Sequence, residues 1–459
     1  MKHVIITTLA LLTLSACSYF EETEQPPLEG DRLSLYDFEK TLRPDPNTHF
    51  GMDGSEDETL ITLPESITGG EDETLSLVAP WSNKFWPQSG GYPNHTMKHV
   101  AFTEGQAKKI WATSIGDGTT RRNPLTSAPI VAENMVFTMD TDTIVQATST
   151  VNGDKLWRTS VVKKGEDETV IGGGIAYSGG RLYVTNGFNE ILALKPDTGR
   201  ILWRTETPDT LRGAPSAVPG RVFVSGMNNK TFALDSASGQ ILWQHSGLTG
   251  GTSVLGASTP AIDKDAIITA YTSGEVYALR IENGQELWAE NLSPIARAAG
   301  QSLLTDIRAL PVIDKGAVYS VSNANRMAAI DMRTGLPKWQ VSIGSSQTPW
   351  VSGNRTYVIG SQSSLIALDN ENGDIIWQQA LPKYEDPDDR EGLMVWSGPI
   401  LAGNRLLAFS SEGLAIEFNP LDGSIIRRWD TDGDVMLPVA IADETLYIVT
   451  ENGVVSAWK

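Results

Sequence analysis

Few side chains in this chain are equipped for covalent or metal chemistry, and their spacing narrows what they could do. There is one cysteine, Cys17, and there are five histidines. A single thiol can be acylated, but it cannot form a disulfide within the chain or build a zinc or iron–sulfur site that needs several thiolates. His95 and His99 stand four apart, a spacing at which a helix could offer both rings to a metal. Pro93 and Gly90-Gly91 predict a loop there instead, so a packed or surface pair is expected. The acidic strings EDETL at 56–60 and 71–75 and EDETV at 166–170 offer hard oxygen ligands for calcium. Their spacing matches no EF-hand, and a solvated charge run is the expected role. The chain has neither a G-x-S-x-G element nor a phosphate-binding loop. The expectation is therefore no catalytic set, no metal and no cofactor.

Cys17 has its own context. Lys2 precedes an apolar run from Val4 to Leu14 that is too short to span a bilayer, as in a secretory signal peptide. The run ends in Leu14-Ser15-Ala16-Cys17, which resembles the lipobox at which bacterial lipoproteins are cleaved and acylated. Lipidation is expected at Cys17, with several acyl chains (palmitate among them) giving a stable membrane anchor. Ser18, not Asp, follows it, which by analogy with enteric bacteria predicts retention at the periplasmic face of the outer membrane. Residues 18–80 carry 16 acidic and 3 basic side chains, much of the excess behind the net charge of −20. An acidic, largely disordered tether and lead-in is expected over 18–100, with a short helix over 33–42. The acidic balance also argues against nucleic acid as a partner, since phosphate binding needs clustered Lys and Arg.

The elements that would position any site are repeated. Gly is followed four residues later by Trp at Gly153/Trp157, Gly199/Trp203, Gly239/Trp243, Gly284/Trp288, Gly335/Trp339 and Gly373/Trp377. A looser early copy pairs Gly105 with Trp111, and a late one places Arg427 in the Trp slot with Trp429 two residues on. Successive marks are 38 to 51 residues apart, about the length of four short strands and their turns. The segment 222–243, VFVSGMNNKTFALDSASGQILW, shows the order: strand, turn, strand, Gly-containing hairpin turn, Trp strand. Lead-ins such as Ala214-Pro215 and Thr259-Pro260 open the innermost strands. The fold expected over 101–459 is all-β, an eight-bladed β-propeller of four-stranded antiparallel blades. The body 437–459 lacks a closing Trp strand and the segment 105–114 lacks a body, so the N- and C-terminal strands are expected to pair and close the ring. The repeat tryptophans Trp111, Trp157, Trp203, Trp243, Trp288, Trp339 and Trp377 are read as packing between blades.

The pattern [DN]-x-x-[TS]-G-x-x-x-W, as in Asp197-Thr-Gly-Arg-Ile-Leu-Trp203, resembles the pyrroloquinoline-quinone-type propeller repeat. Eight such units behind a lipobox resemble the BamB family, the propeller lipoproteins of the outer-membrane β-barrel assembly (BAM) complex. The resemblance covers about residues 105–459. It implies a non-enzymatic scaffold that binds the POTRA domains of BamA and other assembly subunits, and that receives unfolded outer-membrane proteins by strand addition. It also implies a partner face in the loops 208–214, 250–257 and 299–308. Leu211 and Arg212 match a family Leu-Arg-Gly element literally, but one blade early; Val254 and Leu255 lie opposite it by blade count, without the Arg. Asp306 matches the first acid of a family Asp-x-Asp element, and Arg308 replaces the second. The alternative reading is a periplasmic quinone-dependent oxidoreductase or another ligand-binding propeller. Such quinone enzymes usually carry a vicinal Cys pair, which one cysteine cannot supply.

Overall fold

The computed structural model describes residues 66–67, 77–166, 170–248, 258–293 and 306–459. Cys17, the helix expected over 33–42, most of the tether, and Val254 and Leu255 lie outside the described residues.

Every regular element among the described residues is a strand. Eight antiparallel sheets follow one another along the chain, as the Gly…Trp spacing predicts. The first blade is Ile130–Ala132, Met135–Met139, Ile144–Ser149 and Lys155–Ser160, paired in that order from the channel outward. The next five blades begin at Gly174, Ser216, Ala261, Val312 and Trp350, and the seventh runs from Trp396 to Asp430. The eighth takes Ala440–Ala442, Thr445–Thr450 and Val454–Trp458 from the C-terminus and Lys109–Ser114 from the N-terminal side. The ring is thus closed by strands from both ends of the repeat region, which share one sheet.

The sequence explains the layering. Middle strands such as Glu190–Leu194 are buried along their whole length, because each sheet is sandwiched between two neighbours. Outer strands such as Ile241–Ser246 alternate between shielded and exposed positions, because one face packs and the other meets water. Every outer strand also carries a bulge, which slips the register just before the Trp position or its Arg427 equivalent. The extra residue points outward as exposed Ile110, Leu156, Leu202, Leu242, Leu287 and Ile426. Bulges at sheet edges twist the edge strand and discourage pairing with other chains.

Two features depart from the plain repeat. A hairpin of Tyr384–Asp386 and Glu391–Leu393 is inserted between the sixth and seventh blades. Residues 81–100, which composition grouped with the tether, instead form a strap across one end of the channel. The strap bonds to the innermost strand or its turn in all eight blades. Trp86 exchanges two 2.8 Å backbone bonds with Val131, Tyr177 N–H donates to Pro87 O, and the Gln88 side chain brackets Ala217. Ile262 N–H donates to Pro93 O, Ile313 N–H to Asn94 O, and the Trp350 indole to Lys98 O. Val100 N–H donates to Leu401 O, and Asn83 Nδ2 to Ile441 O. Innermost strands have one unpaired edge, and the strap satisfies some of it.

Candidate partner-binding face

The blades are held to one another by a repeated contact. The Trp111 indole donates to Thr150 O of the next blade, and the same bond recurs for Trp157, Trp203, Trp243, Trp288, Trp339 and Trp377. Each indole lies against the turn glycine that follows. A Cβ on Gly199 would stand 2.4 Å from the Trp157 ring, and one on Gly423 2.6 Å from the Trp377 ring. Glycine is required twice over, since both residues also have positive φ. In most blades the indole also meets an aromatic ring of its own sheet, as in Tyr183–Trp203 and Phe223–Trp243 at about 6 Å. These tryptophans are committed to blade packing.

The eighth junction is built differently, and repeat reading of the sequence missed it. Arg427 occupies the Trp slot, and Gly105 has nothing within 4 Å of its Cβ position. Buried Arg405 takes over. Its guanidinium pairs with Glu417 at 2.9 Å, donates to the carbonyls of Thr103 and Gly105, and lies 5.2 Å from the Phe102 ring centroid. Arg427 lies 3.4 Å from the same Glu417 oxygen. The signal was present in the sequence as a recurring Arg: Arg181, Arg221 and Arg355 begin equivalent strands and donate to the turn carbonyls of a following blade.

The strap closes the end of the channel at which the innermost strands finish. The loops that enter those strands surround the other end, and the expected contact residues belong to these loops. Leu211 is fully buried beside Ala176, Ile191 and Val224, and its N–H donates to Phe188 O. Its side chain packs the loop from within. Asp306 is likewise buried, and its Oδ1 accepts a 2.6 Å bond from Asn323 Nδ2. Asp209 has the matching role in an earlier blade, accepting from Asn228 N–H and Nδ2. These carboxylates hold loops in shape. Arg308 is exposed and Arg212 half-buried.

Arg212 and Arg308, from two different blade junctions, both line a central cavity of about 480 Å3. Its floor is Trp86, Gly90 and His95 of the strap, and its walls include Ile175, Leu310, Trp350, Ile400 and Leu437. His95 is buried; its Nδ1–H donates to Pro311 O at 2.8 Å, and its Nε2 has no partner. Burial pulls its pKa from 6.5 down to about 4, so the ring is neutral. Burial likewise raises the carboxyl pKa of Glu451, which also lines the cavity. The two guanidinium groups of this cavity, Arg212 and Arg308, are suited to pairing with carboxylates of another molecule. His95 and His99 make separate bonds, His99 to Val78 O and to Asn404 N–H. No group of three or more His, Cys, Asp or Glu suited to a metal occurs among the described residues.

The sequence model of the family described as "Outer membrane protein assembly factor BamB" matches residues 141–379. The chain belongs to the BamB family. BamB of Escherichia coli K12 is 32% identical over 352 residues, which span 75% of this chain and 87% of that protein. BamB of Salmonella typhimurium LT2 is 30% identical over 354 residues, or 76% of this chain and 88% of that protein. The crystal structure of BamB from Moraxella catarrhalis matches with a TM-score of 0.65 at 20% identity, covering 77% of this chain and 99% of that one. A europium-containing methanol dehydrogenase matches with a TM-score of 0.63 at 15% identity, covering 80% and 89%. That second structural likeness is one of fold.

Proposed function

We propose that this chain is a non-enzymatic scaffold of the outer-membrane β-barrel assembly machinery. On this reading it is lipid-anchored through Cys17 at the periplasmic face of the outer membrane. Its loop face binds the POTRA domains of BamA, and the assembled complex folds and inserts outer-membrane proteins. Membership of the BamB family is the observation that carries the reading, because curated relatives matched over most of their length are named assembly factors. The geometry supports it by offering Arg212 and Arg308 on one face, while Leu211, Asp209 and Asp306 keep the loops in shape. Of the residues singled out for contact, Arg212 and Arg308 are the ones proposed to touch the partner, with Val254 and Leu255 in the neighbouring loop.

The test is a mild-detergent pull-down of the full lipidated chain from native outer membranes, with mass spectrometry of what is retained. Recovery of the barrel-assembly core is expected. Arg212→Glu combined with Arg308→Glu should reduce that recovery at least tenfold while leaving the unfolding midpoint unchanged. Absence of assembly subunits under conditions that keep their core complex intact would sink the reading.

A further inference from the structure

Polar groups without partners converge on the central cavity. Arg212 is half-buried, and its Nε is buried without a hydrogen bond. Among the described residues, neither the Arg212 nor the Arg308 guanidinium has a hydrogen-bond or ion-pair partner. On the floor, His95 is buried and its Nε2 is unpartnered. The Nδ1–H of the same neutral ring donates to Pro311 O, so Nε2 is an acceptor without a donor. Buried polar atoms left unpaired are rare in folded proteins and mark places where another group is received.

The arginines sit on built loops. Arg212 lies before the third blade. Gly173 N–H donates to its carbonyl at 3.0 Å, and a Cβ on Gly172 would stand 2.9 Å from Arg212 Cγ. This close approach and a positive φ both call for glycine at 172. Arg308 lies before the fifth blade, between buried Ile307 and Ala309, and the neighbouring Asp306 is tied to Asn323. The same cavity is lined by Trp86 and Trp350, whose rings stack with centroids 6.3 Å apart and planes 17° apart. Glu451 is the one carboxyl among the described lining residues, and burial raises its pKa, which weakens that negative charge.

We propose that the central cavity binds a small organic anion, a carboxylate on a flat apolar body with a hydroxyl at its other end. Arg212 and Arg308 pair with the carboxylate. The tryptophan pair and the apolar walls take the body, and the hydroxyl donates to His95 Nε2. The volume of about 480 Å3 is that of a small-molecule site. Binding itself does not depend on the assembly reading above. One consequence rests on it: guanidinium groups held by the ligand are withdrawn from the partner, so ligand and assembly core compete.

Isothermal titration calorimetry of the full chain with para-hydroxycinnamate tests the site. Saturable binding of one ligand per chain is expected. Cinnamate lacks the hydroxyl and para-hydroxycinnamyl alcohol lacks the carboxylate, and each should bind about tenfold more weakly. This comparison on the parent chain needs no variant. Arg212→Gln and Arg308→Gln should each weaken binding of the acid about tenfold, and Arg212→Lys with Arg308→Lys should restore part of it, since charge returns without the planar fork. His95→Phe should remove the preference for para-hydroxycinnamate over cinnamate. No saturable binding at millimolar ligand, equal affinity for the acid and the alcohol, or affinity indifferent to both arginines would overturn the proposal. In the pull-down, added para-hydroxycinnamate should lower recovery of the assembly core. Binding without that loss would count against the arginines as partner contacts and leave the site standing. A failed titration beside a successful pull-down would overturn this inference alone.

Discussion

His95 illustrates how a side chain with the right chemistry is given a structural task. It lies on the cavity floor with one nitrogen bonded to Pro311 O and the other unpartnered. Burial lowers its pKa to about 4, below the value in the unfolded chain. As pH falls, the unfolded chain therefore takes up the proton first. Stability from the neutral ring is complete above pH 6.5, declines between 6.5 and about 4, and is level below that. The full drop amounts to about 3 kcal/mol. Denaturant unfolding near pH 7 and near pH 4.5 should show the parent losing about 2–3 kcal/mol more than His95→Gln. Burial shifts His99 in the same direction, but it is present in both proteins and cancels. Equal losses would mean that the ring does not stay neutral in the fold.

At the scale of the element, the unit of stability is an outer strand's Trp seated on the next blade's turn glycine. Two glycine substitutions separate backbone strain from this contact. Gly220 has a φ of 88° and nothing within 4 Å of its Cβ position, so Gly220→Ala should cost only about 1–2 kcal/mol from the left-handed backbone. Gly199 has a φ of 66° and the Trp157 ring at 2.4 Å, so Gly199→Ala adds overpacking and should cost about 3 kcal/mol or more. Thermal unfolding with tryptophan fluorescence reads both. Similar shifts for the two variants would show that the indole moves aside freely. The strap is the other decisive element. It has no regular secondary structure of its own, yet it is held in every blade by bonds to edges that would otherwise lack partners.

At the scale of the whole molecule, a ring is as strong as its closure. Seven junctions use the Trp–Gly seat, and the junction of the seventh and eighth blades uses Arg405, Glu417 and Arg427. Glu417 is fully buried, and burial lowers the Arg405 pKa while Glu417 opposes that shift. Removing the acid leaves two guanidinium groups facing each other, one of them buried. Glu417→Ala should therefore cost about 3–5 kcal/mol, measured by urea unfolding. Glu417→Gln, which keeps the shape and one acceptor, should cost less than Glu417→Ala. A loss below about 1 kcal/mol for Glu417→Ala would assign closure mainly to the pairing of Lys109–Ser114 with Val454–Trp458.

The number of blades, their order and their closure were legible because each rests on patterns local in the chain. A Gly with positive φ and a Trp four residues later are dictated by one hairpin, and alternation marks which face of a strand is buried. The closure followed from two incomplete units that complete each other. What the tertiary structure alone decided depends on contacts between residues far apart in sequence. Ser66–Ile67 reaches a strand beginning at Ile375, and Trp86 to Val100 reaches blade after blade, with no periodicity to announce either. The same holds for Leu211 and Asp306. Their types suited a contact surface, and only packing against Ile191 and Asn323 shows that they hold the loops from within. Local sequence sets backbone geometry and facing, whereas burial is a property of what arrives from elsewhere in the chain.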